Sequence, residues 1–473
     1  MKALSKLLML VALPLFVACS DNNNNDRDDM PVDPTPPPME VMAAELRVTH
    51  ASPDAPAVNV YVNGGLALEG VEFKQSSGLI SFDEPGTLEV EVRGILPDGS
   101  EVSVIGPVDL TLEEGLRTDV VAIGALFDEM GALSIMPAVL DPVEIEENIS
   151  DVRVSVLHAA PQVGAVDIYV TAPGDDLANT TPIDADFGDS AGPVALMADT
   201  EYQVRITPDG ATDVVYDSGT LSFPAGTELV VVAVENTFKV GASPVNLLAV
   251  GPEGASEVLD VNIGAAVRVV HNSADTPAVD ILVNGAVALD AVPFPAASMY
   301  SDLEAPAGTY NVVVAAYADN SIQPIDVDVT LEASKSYTVI AVGSLAEMTL
   351  MPLLSEDDRR NIATAAKIEV VHGSFLVAEE IPVDIYLSTD GVIADLEPAI
   401  SGLAYGQGTG QIELPPGDYW ITVTAAGDKS VVAFDTGATL ALEGGVNYTV
   451  IARDPASGED IGSNLITVTL LTD

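Results

Sequence analysis

The sequence is poor in cysteine, tryptophan, histidine and positive charge, and each shortage closes off a class of function. Its one cysteine is Cys19. No intramolecular disulfide can form, so any domain must rest on its core alone. Lys and Arg number 17 against 72 Asp and Glu, a formal charge of −55. A chain of that sign cannot neutralise a run of phosphates, which excludes electrostatic nucleic-acid binding and a polybasic membrane patch. Aromatic residues are 5%, with Trp420 the single tryptophan. What is abundant is Val, Ala, Leu and Ile: 48% of the 473 residues are hydrophobic. That is too apolar for disorder and, at roughly 100–200 residues per domain, enough for three or four domains.

Residues 1–19 read as an export signal. Lys2 and Lys6 precede an apolar stretch, Leu7 to Val17, that is too short to span a bilayer. The stretch ends in Phe16-Val17-Ala18-Cys19, which resembles a bacterial lipobox with Phe16 where leucine is usual. The resemblance implies lipidation at Cys19 and a membrane anchor. Ser20, rather than Asp, after the cysteine implies the outer membrane of a Gram-negative bacterium, on either its periplasmic or its surface face. Residues 20–44 form a tether of Asn, Asp and Pro, expected to be extended and disordered. Its Asp/Asn run lacks the glycine and glutamate of a calcium loop.

The four histidines mark a repeat. His50, His158, His271 and His372 lie 108, 113 and 101 residues apart. Each ends an alternating apolar run, such as Val267-Arg268-Val269-Val270-His271. A short loop follows, then a second run such as Val279-Asp280-Ile281-Leu282-Val283. Asn59, Asp167, Asp280 and Asp384 hold the second position of that second run. Later strands repeat too, for example Gly308-Thr309-Tyr310 and Ser336-Tyr337-Thr338-Val339-Ile340. Period-two alternation, β-branched residues and Gly/Pro/Asp punctuation about every ten residues indicate β-sandwiches. The expected fold class is all-β, a tandem array of four immunoglobulin-like or transthyretin-like β-sandwich domains at 45–141, 151–251, 265–355 and 365–473. Linkers are expected near 141–150, 251–264 and 355–364.

The Val-x-Val-x-His run, the Val-Asp-Ile-Tyr-Val run and the later Gly-Thr-Tyr strand resemble the domain-of-unknown-function family 4397 of bacterial surface and exported proteins. The resemblance implies four copies, a compact β-fold and a cell-envelope address. It brings no reaction, no cofactor and no catalytic residues.

Side-chain parity argues against a catalytic His–Asp pair. Val269 and His271 share one face of their strand, so the imidazole prolongs the buried stripe and bonds backbone where the first loop closes the sandwich. By the same parity Asn59, Asp167, Asp280 and Asp384 face solvent, as do Tyr61, Tyr169 and Tyr386. Arg153 and Arg268 would then pair across strands with Asp167 and Asp280. Zinc is disfavoured, because one histidine per domain supplies too few ligands. Calcium has only the loose clusters Asp357-Asp358 and Asp326 with Asp328 to bind. Gly188-Asp189-Ser190-Ala191-Gly192 matches a hydrolase elbow without its helix, and Gly406 to Gly410 lacks the lysine of a phosphate loop. The expectation is a non-enzymatic, lipid-anchored envelope protein whose modules serve adhesion, scaffolding or ligand binding. Its partner would be a protein or a glycan, the latter held on Trp420 and outward tyrosines. Calcium binding and a His/Asp hydrolase are the alternatives.

Overall fold

Short alternating runs rich in Val, Ile and Thr become strands throughout. The computed structural model describes residues 42–146, 149–303, 308–377 and 382–473. Cys19, the export signal and nearly all of the tether lie outside them. Among the described residues there is no α-helix and one 3-10 turn, Leu177–Asn179. None of their helices is long and apolar enough to cross a membrane.

The strands form eight main sheets that pair into four sandwiches. In the third sandwich the strands are Ala265–His271, Val279–Val283, Ala286–Val292, Ser301–Leu303, Thr309–Ala316, Ile325–Thr330, Ser336–Val342 and Met351–Asp357. Numbered one to eight, they form sheets of order 4-1-7-8 and 3-2-5-6. The other three sandwiches keep that order, each with one extra strand at the margin. In each, the histidine strand runs parallel to the seventh strand, and the histidine sits opposite an alanine. The pairs are His50 with Ala122, His158 with Ala233, His271 with Ala341 and His372 with Ala452.

Each sandwich has its own core between its sheets. In the third, Val269, Val279, Ile281, Val314, Ile325 and Val339 interlock. Each such buried side chain contributes roughly 1.5–3 kcal/mol of transfer free energy.

The second face of the 4-1-7-8 sheets is also covered, because neighbouring sandwiches pack on one another. Ile123, Val121 and Leu140 of the first sandwich pack on Leu157, Val232 and Leu248 of the second. Val270, Ile340 and Val342 of the third pack on Val371 and Ile451 of the fourth. Val240 and Phe238 meet Ile263, Ala266 and Tyr300 between the second and third. The connections are not free linkers either. Val143–Glu144 and Gly254–Val258 are strands. Segment 358–364 is pinned by Arg360, whose Nε donates to Pro53 O at 2.8 Å and whose Nη2 donates to Ala55 O. Met42–Asp473 is therefore one compact unit.

Candidate functional site

Period-two alternation brings each histidine to the inner end of its strand, where the following loop folds over it. His50 Nε2 donates to Pro56 O, His158 Nε2 to Gly164 O and His271 Nε2 to Pro277 O, each at 3.1 Å. Nδ1 of the same rings accepts the N–H of Ser52, Ala160 and Ser273 at 3.3–3.4 Å. A carbonyl can only accept and an amide N–H can only donate, so these contacts select the neutral Nε2–H tautomer. A second proton would point Nδ1–H at another N–H. Burial pushes the His50 imidazole down to about 4, against the opposing bond from Pro56 and assisted by the nearby Arg360 charge. Burial also lowers His271 and His372. His372 is buried in the same place but has no partner on either ring nitrogen among the described residues.

Each ring also meets the edge of an aromatic residue that the sequence reading missed. The pairs are His50–Phe73, His158–Phe187, His271–Phe294 and His372–Tyr405, with centroids 5.8–6.4 Å apart. A signal existed: each aromatic follows by two residues the strand-end residue Val71, Ala185, Val292 or Leu403. Those residues lie opposite Val58, Val166, Val279 and Val383.

Asn59, Asp167, Asp280 and Asp384 are buried, not solvent-facing, which corrects the parity argument. Their side chains cap backbone N–H groups exposed by bulges and turns. Asn59 Oδ1 accepts Gly70 N, Asp280 Oδ1 accepts Ala291 N and Asp384 Oδ1 accepts Gly402 N, each at 2.8 Å. Those three donors have φ of 63°, 54° and 66°, and the ladder shifts register beside them. Here the bulge turns an amide out of the ladder, and the carboxylate or amide oxygen replaces its lost partner. Asp167 instead accepts Gly210 N at 3.1 Å, and the second oxygen of Asp384 takes Gly427 N at 2.8 Å.

The expected cross-strand ion pairs do not form, because the histidine strand and the aspartate strand belong to different sheets. Arg268 reaches Asp473 at 3.2 Å, and Arg153 reaches Glu146 at 2.7 Å. The opposite face of the histidine strand is an interface between sandwiches, so Arg47, Arg268 and Glu369 are buried there. Tyr169 and Tyr386 are buried too, which removes them as a glycan platform. Trp420 Nε1 is tied to Asp435 at 2.9 Å, and Tyr61 OH to Glu101. Ser190 opens a strand with no helix behind it, and Gly408 opens another, Gly408–Leu414. Asp357 bonds Thr338 and Tyr300 while Asp358 turns to Lys367, so the two carboxylates diverge. Asp326 and Asp328 share the amide of Asn311. No group of three or more metal-ligating side chains converges among the described residues.

A partly polar cleft of about 300 Å³ lies where the first, second and fourth sandwiches meet. Pro53 and Asp54 supply one wall, Glu235 to Thr237 a second, and Arg360 and Asn361 a third. Burial raises the carboxyl groups of Asp54 and Glu235 and lowers Arg360 and Lys239. Asn236, 8% exposed, spends its Nδ2 on Val240 O and Ser243 O at 2.9 Å. Its Oδ1 and the Oε2 of Glu235 have no hydrogen-bond partner among the described residues. The cleft can hold a ligand that donates hydrogen bonds.

Two stretches, residues 44–169 and 265–386, match the family described as a domain of unknown function, DUF4397. Together they span just over half of the chain. The chain belongs to this family. Each DUF4397 match opens at a histidine strand and runs into the aspartate strand of the next sandwich. No curated protein matches the chain. Among solved structures, the major pilin subunit of Bacillus cereus aligns over 91% of this chain and 95% of its own. Its identity is 9% and its TM-score 0.11, too low to carry an argument.

Proposed function

We propose that this chain is a non-enzymatic envelope protein, anchored by lipid on Cys19 in the outer membrane. Four copies of one sandwich would be presented as a single block for adhesion or scaffolding. The observation that carries this reading is the use made of the repeated polar residues. Three of the four imidazoles are buried against loop carbonyls, and the Asp and Asn side chains cap backbone amides at bulges and turns. Side chains committed in this way close domains and are not free to act on a substrate. The apolar faces between sandwiches support a block rather than a string. Fixed spacing suits a scaffold, because several weak contacts on one body add by avidity only when they can engage together.

The test is expression of the full chain in a host that processes lipoproteins, with labelled palmitate. Wild type is expected to take up label and sediment with membranes, and Cys19→Ala to do neither. Unlabelled wild type released to the medium would overturn the anchor. Limited proteolysis should spare 251–264 and 355–364, where a string of independent modules would be cut first. A second reading, capture of a small hydroxylated ligand such as a sugar unit, is favoured by the two acceptors of the three-sandwich cleft that have no partner among the described residues. Calorimetry with a panel of monosaccharides, on wild type and Glu235→Gln, decides it. Heat from no sugar ends that reading.

A further inference from the structure

The outer edge of the third sandwich differs from that of its siblings. In each sandwich the sixth strand is the last of the 3-2-5-6 order, so one row of its backbone N–H and C=O groups faces away from the sheet. Natural sheets blunt such edges with bulges, prolines or charge, because a bare edge invites another strand. Three of the four are blunted in the backbone. The ladder of Glu101–Thr111 slips beside Val92, and Pro107 within it has no N–H to offer. The ladders of Tyr216–Ser222 and Asp428–Asp435 slip beside Arg205 and Thr424. Ile325–Thr330 instead pairs with the strand Thr309–Ala316 without a slip, from Thr330 opposite Thr309 to Ile325 opposite Val314. Leu331 N donates to Gly308 O at 2.9 Å on the same ladder. That bond fixes the phase: the odd-numbered residues bond inward, and the backbone groups of Asp326, Asp328 and Thr330 point outward. Ile325, Val327 and Val329 turn their side chains to the core, while those of Asp326, Asp328 and Thr330 are exposed.

We propose that Ile325–Thr330 is a docking edge for an extended basic segment of a partner protein, which joins the sheet as a further strand. Backbone pairing supplies the affinity, and Asp326 and Asp328 supply the selectivity. Asn311 Nδ2 lies 2.8 and 3.3 Å from the two carboxylates and holds both on the solvent face. A strand with Lys or Arg at alternate positions sets a cation against each of them, whereas an acidic strand meets like charge. A second copy of this chain is disfavoured for the same reason. Antiparallel pairing of two such edges sets aspartates against aspartates, between bodies of formal charge −55. The proposal names a partner class for the adhesive role above and rests on that reading, but the palmitate assay and the peptide assay fail independently.

The probe is a capped, dye-labelled hexapeptide alternating lysine and valine, added to the full chain at low salt. Fluorescence anisotropy should report binding, and hydrogen exchange should slow at Asp326, Asp328 and Thr330. Exchange in Glu101–Thr111, Tyr216–Ser222 and Asp428–Asp435 should not change. Asp326→Asn with Asp328→Asn should weaken binding about tenfold, roughly threefold for each cross-strand charge pair. The same peptide with its ladder amides N-methylated keeps its charge and should not bind. Asp328→Pro removes an outward N–H and no inward one, and should abolish binding. If that variant loses the third sandwich in a thermal melt, the N-methylated peptide decides on wild type alone. Equal binding of the two peptides overturns the proposal, because attraction by charge alone would then suffice. So does the absence of binding, or protection confined to other strands. A concentration-dependent dimer of the full chain that protects the same three amides would assign the edge to a second copy and overturn the basic partner.

Discussion

The first and second sandwiches join through the same sheets as the third and fourth, yet the two joints handle buried charge differently. In the first joint Arg47, 1% exposed, pairs with Asp119 at 2.6 Å and donates to Val250 O at 3.0 Å. Beside it Arg117 and Arg153 share Glu228. In the second joint the equivalent Arg268 rests mainly on hydroxyls, those of Thr338 at 3.0–3.1 Å and Thr449 at 3.3 Å, with Asp473 at 3.2 Å. Glu369 stands where the second sandwich has Ser155, and Lys367 where it has Arg153. The apolar faces do the same work in both joints, and the polar residues set into them differ. Ions and hydroxyls both take up most of the buried polar atoms, though Arg47 Nη2 in one joint and Glu369 Oε2 in the other have no partner among the described residues.

The largest effect should come from breaking the ionic joint on one side only. Arg47→Ala leaves Asp119 buried with Arg117 at 3.7 Å as its nearest cation, at an expected cost of about 3–5 kcal/mol. Replacing both partners, Arg47→Met with Asp119→Leu, should return stability to within about 1 kcal/mol of wild type. Arg268→Met should cost less than Arg47→Ala, about 1–2 kcal/mol, because the freed hydroxyls can bond elsewhere. Chemical denaturation of the four proteins checks the order. Equal losses in Arg47→Ala and Arg268→Met would show that the two joints do not differ in this respect.

The matched histidines of the two pairs sharpen the comparison through pH. The folded-state value of His50 lies near 4, below the 6.5 of an unfolded chain. The unfolded state therefore binds a proton first, and His50 favours folding above pH 6.5. That contribution disappears as pH falls from 6.5 toward 4 and amounts to about 3 kcal/mol. His271 shifts the same way through burial, but its opposing influences are backbone bonds, without an arginine charge. Ring titration by NMR should find His50 protonating at a lower pH than His271. His50→Gln should flatten the acid side of the stability profile. A wild-type slope that persists in this variant would assign the acid sensitivity to carboxylates.

How much of this was legible follows from what alternation can and cannot encode. Period-two runs ending in histidine gave the strands, the four sandwiches and the inward imidazole, because one face of any strand must meet its own core. Alternation does not say that the other face is covered as well. The fourth histidine strand, Ala366–His372, is buried along its whole length, and Lys367 and Glu369 within it gave no warning of that. Nor does it reveal a bulge, so Asp280 was placed in solvent although Ala291 needed its oxygen. The cleft between sandwiches depends on contacts hundreds of residues apart, such as Arg360 with Pro53, and no local pattern reports those.

Glu369 offers the finest test of how the second joint tolerates charge. Ser355 donates to its Oε1, and Oε2 has no partner among the described residues. Burial raises this carboxyl above its ordinary range. The Ser355 bond opposes that rise, the charge of Asp357 adds to it, and Arg268 partly offsets it. A carboxyl raised on folding binds its proton more tightly in the native state. Its favourable contribution is therefore present below the unfolded value and is lost as pH rises through the folded one. Glu369→Gln keeps an acceptor for Ser355 and removes the charge. It should stabilise the protein by up to about 1 kcal/mol at pH 8 and by less at pH 5. Paired thermal melts of variant and wild type at the two pH values measure this. A difference that does not change with pH would mean that the carboxylate is as comfortable in the joint as in water, and that the hydroxyl-lined joint carries charge as readily as the ionic one.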